Sequence, residues 1–267
     1  MTSLRVMTFN IRGALFDDGV NRWPNRVDLN VRTILRYAPD VIGLQEAHQD
    51  NLSVYREQLS GYDYAPGPPY NNEEPYLQYT AICWNASRLR LAETGGFWLS
   101  LTPEQHSGSW DTACIRSATW ARLVWLDTGQ SFVHLNTHLD HVSEMARVEG
   151  TKLILQRLQP AIEEDVPVII TGDFNCKPGS TAYRCFAEYG FVDAYTAAGH
   201  TAQVNTFHAF QGRAYTPRPP EVDRIDWILT RDGRQRFSIE ACTIVDDAEP
   251  PLYPSDHYPV LADLTLE

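Results

Sequence analysis

The sequence predicts an α/β protein in which two mixed, largely antiparallel β-sheets are flanked by helices. Strand-like runs of β-branched and aromatic residues outnumber helical stretches along the chain. The neighbouring runs 118–127 and 131–139 are separated only by Thr128, Gly129 and Gln130, as in an antiparallel hairpin. Apolar residues recur at helical spacing in only a few windows, and sheets that bury one face need helices to cover the other.

In chain order, strands are expected at "LRVMTFNI" (4–11), "DVIGLQE" (40–46), "YTAICWN" (79–85), "ATWARLVWLD" (118–127), "SFVHLNTHL" (131–139) and "PVIITGDF" (167–174). "RIDWILT", "SIEACTIV" and "YPVLADLTL" complete the set. Val27, Val31, Ile34, Leu35 and Ala38 follow Pro24, a first-turn residue, and predict a helix over 24–38. Trp23 is expected to pack beneath the first strand, and neither it nor Arg26 joins the catalytic set. Met145, Val148, Leu155 and Leu158 share one side of a helical wheel and predict a second helix over 141–159. Shorter helices are expected near 48–60 and 180–189, and 61–78 and 196–221, rich in Pro, Gly, Asn and Tyr, read as loops. With no internal repeat and no linker, residues 1–267 are expected to form one domain.

Hydrophobic residues make up 43% of the chain and charged residues 21%, enough apolar material for a sizeable core and too much for a disordered chain. Against 34 acidic residues stand 22 Lys and Arg, a formal charge of −12. Affinity for long duplex nucleic acid rests on many basic phosphate contacts, so an extended DNA track is disfavoured. A small phosphate ester or a short single-stranded nucleic acid needs only local positive charge or a bound cation.

The five cysteines are odd in number and lack any CxxC pair, which points away from a disulfide framework or a cysteine zinc site and towards a reducing, cytoplasmic setting. The opening "MTSLRVMTFNI" is too short and too strand-like for a secretory signal, and no run of about 18 apolar residues marks a membrane span. Oligomeric state is not legible in the sequence.

The strand ends carry the chemistry. Asn10 ends "VMTFN", Glu46 ends "VIGLQE", and His138 and Asp140 end "VHLNTHLD". Asp173 and Asn175 lie in "IITGDFN", Asp226 in "RIDWIL", and Asp256 and His257 precede the last strand in "PSDHYPV". Alone, each has a bland reading: "TGDFN" as a turn, His138 as a structural histidine, "SDH" as a cap. Together, carboxylates and an amide hold a hard divalent ion through oxygen, with Glu46 the best direct ligand, and histidines move protons near neutral pH. An aspartate beside a histidine fixes its tautomer, a part open to Asp226 towards His257. A histidine acting unprotonated would show as loss of turnover below roughly pH 6 to 6.5.

"TFNIR", "IGLQE", "NTHLD", "TGDFN", "RIDWIL" and "SDHYPV", spread over residues 8–260 in this order, resemble the endonuclease/exonuclease/phosphatase superfamily, the DNase I-like group. The resemblance implies a four-layer α/β/β/α sandwich with the site at one end of the two sheets. It implies Asn10 and Glu46 on the metal side with Mg²⁺ or Mn²⁺, Asp256 supporting the metal or His257, and His138, Asn175 and His257 around the scissile phosphate. Asp173 would position or deprotonate water or help the leaving oxygen, and Asp226 would orient His257. The reaction it implies is hydrolysis of a phosphate ester by in-line attack of an activated water. No GxSxG elbow or P-loop is present, which argues against serine hydrolases and nucleotide-cradling ATPases.

For the substrate, "GVNRWPNRVDL" is similar to the opening of Ccr4-like and bacterial members, and no basic DNA-clasping insertion is present. Trp110, Arg116, Phe207, His208, Arg213 and Arg218 are candidates to stack on a base or sugar and hold a phosphate, with Arg116, Trp110 and His208 placed in the binding set. Packing for Trp110 and a solvated charge for Arg213 are the competing readings. The leading expectation is a metal-dependent phosphodiesterase on a small or single-stranded substrate. The alternatives are a phosphomonoesterase on a sugar or lipid headgroup and, third, a catalytically silent binding module.

Overall fold

The computed structural model describes residues 2–71, 73, 76–216 and 223–267. Among these, the elements run β1 (Thr2–Asn10), α1 (Trp23–Tyr37), β2 (Val41–His48), α2 (Gln49–Gln58), β3 (Tyr62–Ala65), β4 (Gln78–Asn85), β5 (Leu89–Trp98), β6 (Ser117–Trp125) and β7 (Ser131–His138). They continue with α3 (Glu144–Glu163), β8 (Val168–Asp173), α4 (Thr181–Glu188), β9 (Val192–Asp193), α5 (Ala194–Ala197), β10 (Asp226–Arg231), β11 (Phe237–Ile244) and β12 (Val260–Leu266).

The strands form two six-stranded sheets, ordered β11-β12-β1-β2-β4-β3 and β5-β6-β7-β8-β10-β9. Each contains one parallel pair, β1 with β2 and β7 with β8, and is otherwise antiparallel. Alternation of side chains along each strand builds the layers. Leu4 and Val6 of β1 face the second sheet and meet Leu123, Phe132 and Ile169, whereas Met7 and Phe9 face outwards under Trp23, Val31 and Ile34 of α1. On the opposite outer face, Ile154, Leu155 and Leu158 of α3 and Phe186 of α4 cover Val133, Leu135 and Ile170. The result is a four-layer sandwich, and both faces of a central strand such as "VMTFN" are apolar because both are covered.

Towards one end the space between the sheets turns polar. Gln45 Nε2 donates to Asn136 Oδ1 (2.7 Å), and Asn136 Nδ2 donates to the carbonyls of Leu44 (2.8 Å) and Ala81 (3.0 Å) in the facing sheet. Gly43 makes this approach feasible, since a Cβ there would lie 2.0 Å from Thr171 Oγ1.

The expected helix over 141–159 is observed as α3, starting at Glu144 because Ser143 Oγ accepts the Ala146 N–H (3.1 Å) as an N-cap. Three strands departed from expectation, among them the two-residue β9, which pairs with β10. β5 was not anticipated, because Gly95 and Gly96 and its exposed charged residues mask its period; the glycines let Pro68 and the Trp120 indole lie close to its backbone. β3 lies inside the stretch expected to be loop and survives by pairing with β4. The cysteines are all free thiols, and no described helix is long and apolar enough to cross a membrane.

Burial pushes several histidines towards neutrality: His48 down to about 4, His134 and His208 down to about 3, and His138 below its ordinary value. The unfolded chain, with histidines near about 6.5, binds more protons below that value than the fold does, so stability is lost as pH falls from 6.5 towards these values. The melting temperature of the metal-free protein is expected to drop between about pH 7 and pH 5; a level profile would contradict this assignment.

Candidate active site

Parallel pairing brings the C-terminal ends of β1 and β2, and of β7 and β8, to one end of the sandwich. Asn10, Glu46, His138 and Asp173 stand at or beside those ends, and the antiparallel β10 begins there with Asp226, opposite Asp173 in register. Asp256 and His257 arrive on the loop before β12. Arg26, fully buried in α1, fastens that loop: its guanidinium donates to the carbonyls of Ile11 (2.9 Å) and Pro254 (2.9 Å) as well as to Arg12 O. Asp140 does the same for the 110–116 loop, accepting from the amides of Ala113, Cys114, Val142 and Ser143. Burial works against its charge, but these amide bonds prevail and hold its carboxyl down at about 2.

The groups converge closely. Asn10 Nδ2 donates to Asp173 Oδ2 (3.0 Å) and Glu46 Oε1 (3.2 Å) and lies 3.5 Å from His257 Nε2. His257 Nδ1 donates to Asp226 Oδ2 (2.9 Å), while His138 Nε2 lies 3.3 Å from Asp173 Oδ2. Arg116 Nη1 donates to His138 Nδ1 (3.0 Å) and Nη2 to His141 Nδ1 (3.3 Å). Asn175 sits at a positive φ of 49°, its amide donating to Asp173 Oδ1 (3.0 Å) and its Nδ2 to Leu139 O (3.0 Å). "TGDFN" is therefore a turn and a part of this cluster at once. Glu46 also has a positive φ, 59°, at a break in the β2–β4 register, a strained conformation that turns its carboxylate into the cluster.

Environment separates the two histidines. Burial and the positive charge of Arg116 push His138 below its ordinary value, despite Asp173. Burial opposes charge on His257 too, but Asp226, Asp173 and Asp256 outweigh it and raise it to about 10. Asp173 and Glu46 are both held below the usual carboxylate range: burial acts upwards on each, and it is outweighed at Asp173 by the His138 hydrogen bond, the charge of His257 and the Asn10 hydrogen bond, and at Glu46 by the charge of Arg12, the Asn10 hydrogen bond and the charge of His257. Burial, opposed by His257 and reinforced by Glu46, carries Asp256 up to about 6.

These residues fit a divalent cation. Glu46 Oε2 is buried without a hydrogen-bond partner, so it is free to take a cation, and Arg12 at 3.9 Å is too distant to satisfy it. Asp256 Oδ2 lies at the same distance from Arg12. Ligand atoms of Asp173, Asp226 and His257 also lie within 4.8 Å of one another, although the Asp226–His257 hydrogen bond already occupies two of them. The Asn10 amide, as placed, turns its nitrogen and not its oxygen to the carboxylates.

Of the residues expected in the site, His138, Asp173, Asn175, Asp226, His257, Asn10, Glu46 and Asp256 are brought together, with Arg116 beneath the histidines. Trp110 stands apart: it is half-buried and its carbonyl accepts from Ser143 Oγ (2.7 Å) at the start of α3. His208 lies behind the site, its backbone N–H on Asp256 O (2.8 Å) and its ring stacked on Tyr258 (centroids 4.0 Å). Phe207 meets the His257 ring at 5.0 Å. Arg213 is exposed and paired with Asp246, and Arg218 lies outside the described residues. Two neighbours escaped sequence reasoning. Arg12, the last residue of "TFNIR", is paired with Asp18 (2.9 Å) and faces both Glu46 and Asp256. Tyr70, buried in a stretch expected to be loop, sets its ring edge-on to His138 at 6.0 Å and had no local signal.

A DNase I-like four-layer sandwich with a buried carboxylate and histidine cluster at the strand ends is the architecture of a family whose members are phosphoric ester hydrolases. The chain belongs to the Endonuclease/Exonuclease/phosphatase family, which it matches over residues 7–257 and whose members generally depend on a divalent metal. It is similar to an endonuclease/exonuclease/phosphatase from Bacteroides vulgatus, with 31% identity, TM-score 0.88 and 100% of both chains covered. A mannosyl-6-phosphatase from Bacteroides thetaiotaomicron is 28% identical with TM-score 0.87, over 98% of this chain and 99% of the other. Nocturnin from Drosophila melanogaster is 25% identical over 288 residues, 91% of this chain and 42% of the fly protein, so the chain spans less than half of that relative's length.

Proposed function

We propose that the protein hydrolyses a phosphomonoester of a small hydroxylated molecule, in the class of sugar phosphates, with Mg²⁺ or Mn²⁺. The observation that carries this reading is the depth of the reacting groups: the side chains of His138, Asp173, Asp226 and His257 are only 3%, 2%, 1% and 6% exposed. A terminal phosphate can enter such a site end-on, whereas an internal one needs two exits for its substituents. The similarity to a mannosyl-6-phosphatase supports the same class.

In this reading Glu46, with Asp256, would hold the cation, which would supply positive charge against the phosphoryl oxygens when bound. His257, cationic through its carboxylate neighbours, donates a hydrogen bond from Nε2 to those oxygens, and His138 and Asn175 border them. Asp173, ionised at neutral pH, orients the attacking water. Asp226 holds the His257 ring and keeps its Nδ1 proton in place.

A second reading, cleavage of a phosphodiester in a nucleotide-like substrate, draws on Phe207, which lies against His257 and Tyr215 as a stacking face for a base. Metal-stripped protein assayed with and without Mg²⁺ or Mn²⁺ on p-nitrophenyl phosphate, mannose 6-phosphate, bis(p-nitrophenyl) phosphate and a short single-stranded oligonucleotide separates them. Metal-dependent phosphate release from the monoesters is expected. Cleavage confined to the diester or oligonucleotide would overturn the proposal in favour of the second reading, and no turnover on any would leave a binding module.

A further inference from the structure

The partners of the two histidines differ in a way that fixes where their protons lie. A guanidinium has only donors and keeps its proton throughout the working pH range. The 3.0 Å contact between Arg116 Nη1 and His138 Nδ1 therefore has one polarity: Nδ1 accepts, and its lone pair points at the arginine. A neutral imidazole with its lone pair on Nδ1 carries its hydrogen on Nε2, and Nε2 faces an acceptor, Asp173 Oδ2 at 3.3 Å. His257 is the reverse case, with Nδ1 donating to the Asp226 carboxylate at 2.9 Å.

We propose that Arg116 is a positioning residue that locks His138 as the neutral Nε2–H tautomer, making His138 a fixed hydrogen-bond donor that takes no proton during the reaction. With Nδ1 facing the arginine and Nε2 already carrying hydrogen, neither ring nitrogen offers a lone pair to water or to a leaving alcohol. Proton movement is left to Asp173 and His257. Arg116 is built for this task. It is 7% exposed, its second Nη is spent on His141, and Asp140 pins the loop that delivers it. The Tyr70 ring flanks the pair, edge-on to His138 and 5.8 Å from the guanidinium carbon of Arg116. A residue so enclosed has little surface to offer a substrate, so the expectation that Arg116 binds substrate directly gives way to action through His138. The catalytic consequence rests on the reading that His138 faces the phosphate; the tautomer does not.

Protein labelled with ¹⁵N-histidine, with the His138 signals assigned by their loss in His138→Gln, tests the tautomer by two-bond ¹H–¹⁵N correlation. Wild type is expected to show an unprotonated Nδ1 and a protonated Nε2 at His138 across roughly pH 5.5 to 8. Arg116→Met, which keeps the aliphatic stem, should give mixed tautomers or a protonated ring and lower kcat about 10- to 100-fold with little change in KM. Arg116→Lys, also a pure donor, should restore the wild-type pattern and part of kcat, with thermal melts showing that both variants fold. A protonated Nδ1 in wild type overturns the proposal. So does Arg116→Met with unaltered His138 signals and a raised KM, the signature of a direct substrate contact. The spectra decide the tautomer even if none of the phosphate esters is turned over, so failure of the functional reading and failure of this inference are distinguishable.

Discussion

Replacing His257 by alanine is expected to lower kcat/KM by about three orders of magnitude with a fold that remains intact. His257 sits where three carboxylates act on one ring, and its charge is the cationic group most deeply set among the reacting side chains. Removing it takes away a donor to the phosphoryl oxygens and leaves Asp226, whose Oδ1 already lacks a partner, without its Oδ2 contact as well. Asp226→Asn keeps the shape of that contact but weakens its hold on the Nδ1 proton, so a smaller loss of about 10- to 100-fold is expected. Near-normal turnover in His257→Ala, measured on the substrate found by the metal-dependent assay, would remove the residue from the mechanism. A fall in activity below about pH 6, anticipated for a histidine acting unprotonated, is not expected from His138, which burial and Arg116 keep neutral below its ordinary range.

Glu46→Gln is expected to cost about 100-fold or more in metal-dependent activity and to weaken Mg²⁺ binding measured by calorimetry. The substitution is isosteric and keeps an acceptor for Asn10 Nδ2, so a loss reports on charge. Its physical basis is the buried, unpartnered Oε2 on a residue held ionised by Arg12, the Asn10 hydrogen bond and His257 at a strained backbone position. If calorimetry shows Mg²⁺ affinity unchanged in the variant, Glu46 is not the ligand and the cation must be sought among Asp173, Asp226 and Asp256.

Strand and helix positions are local information. "VMTFN", "IITGDF" and the 24–38 helix were legible because a side-chain period of two or of 3.6 is written in neighbouring residues. Polar residues at the ends of apolar runs were legible for the same reason, and the order of six such ends carried the family resemblance. β5 escaped because its glycines and exposed charges serve the approach of Pro68 and Trp120 from elsewhere in the chain.

What the sequence by itself determined was the fold class and which polar residues stand at the strand ends. Only the tertiary structure decided what each one faces. Arg116 and His138 are 22 residues apart, Asp226 and His257 31, and Asn10 and Asp173 163. Hydrogen-bond polarity and desolvation depend on those pairings. One histidine is kept neutral beside an arginine and the other is made cationic beside an aspartate, although nothing local to "NTHLD" or "SDHYPV" distinguishes them. Trp110, which its place in the loop before β6 offered as a substrate contact, instead ties its carbonyl to Ser143 Oγ at the start of α3. Arg12 and Tyr70 joined the site because the fold sets one beside Glu46 and the other edge-on to His138.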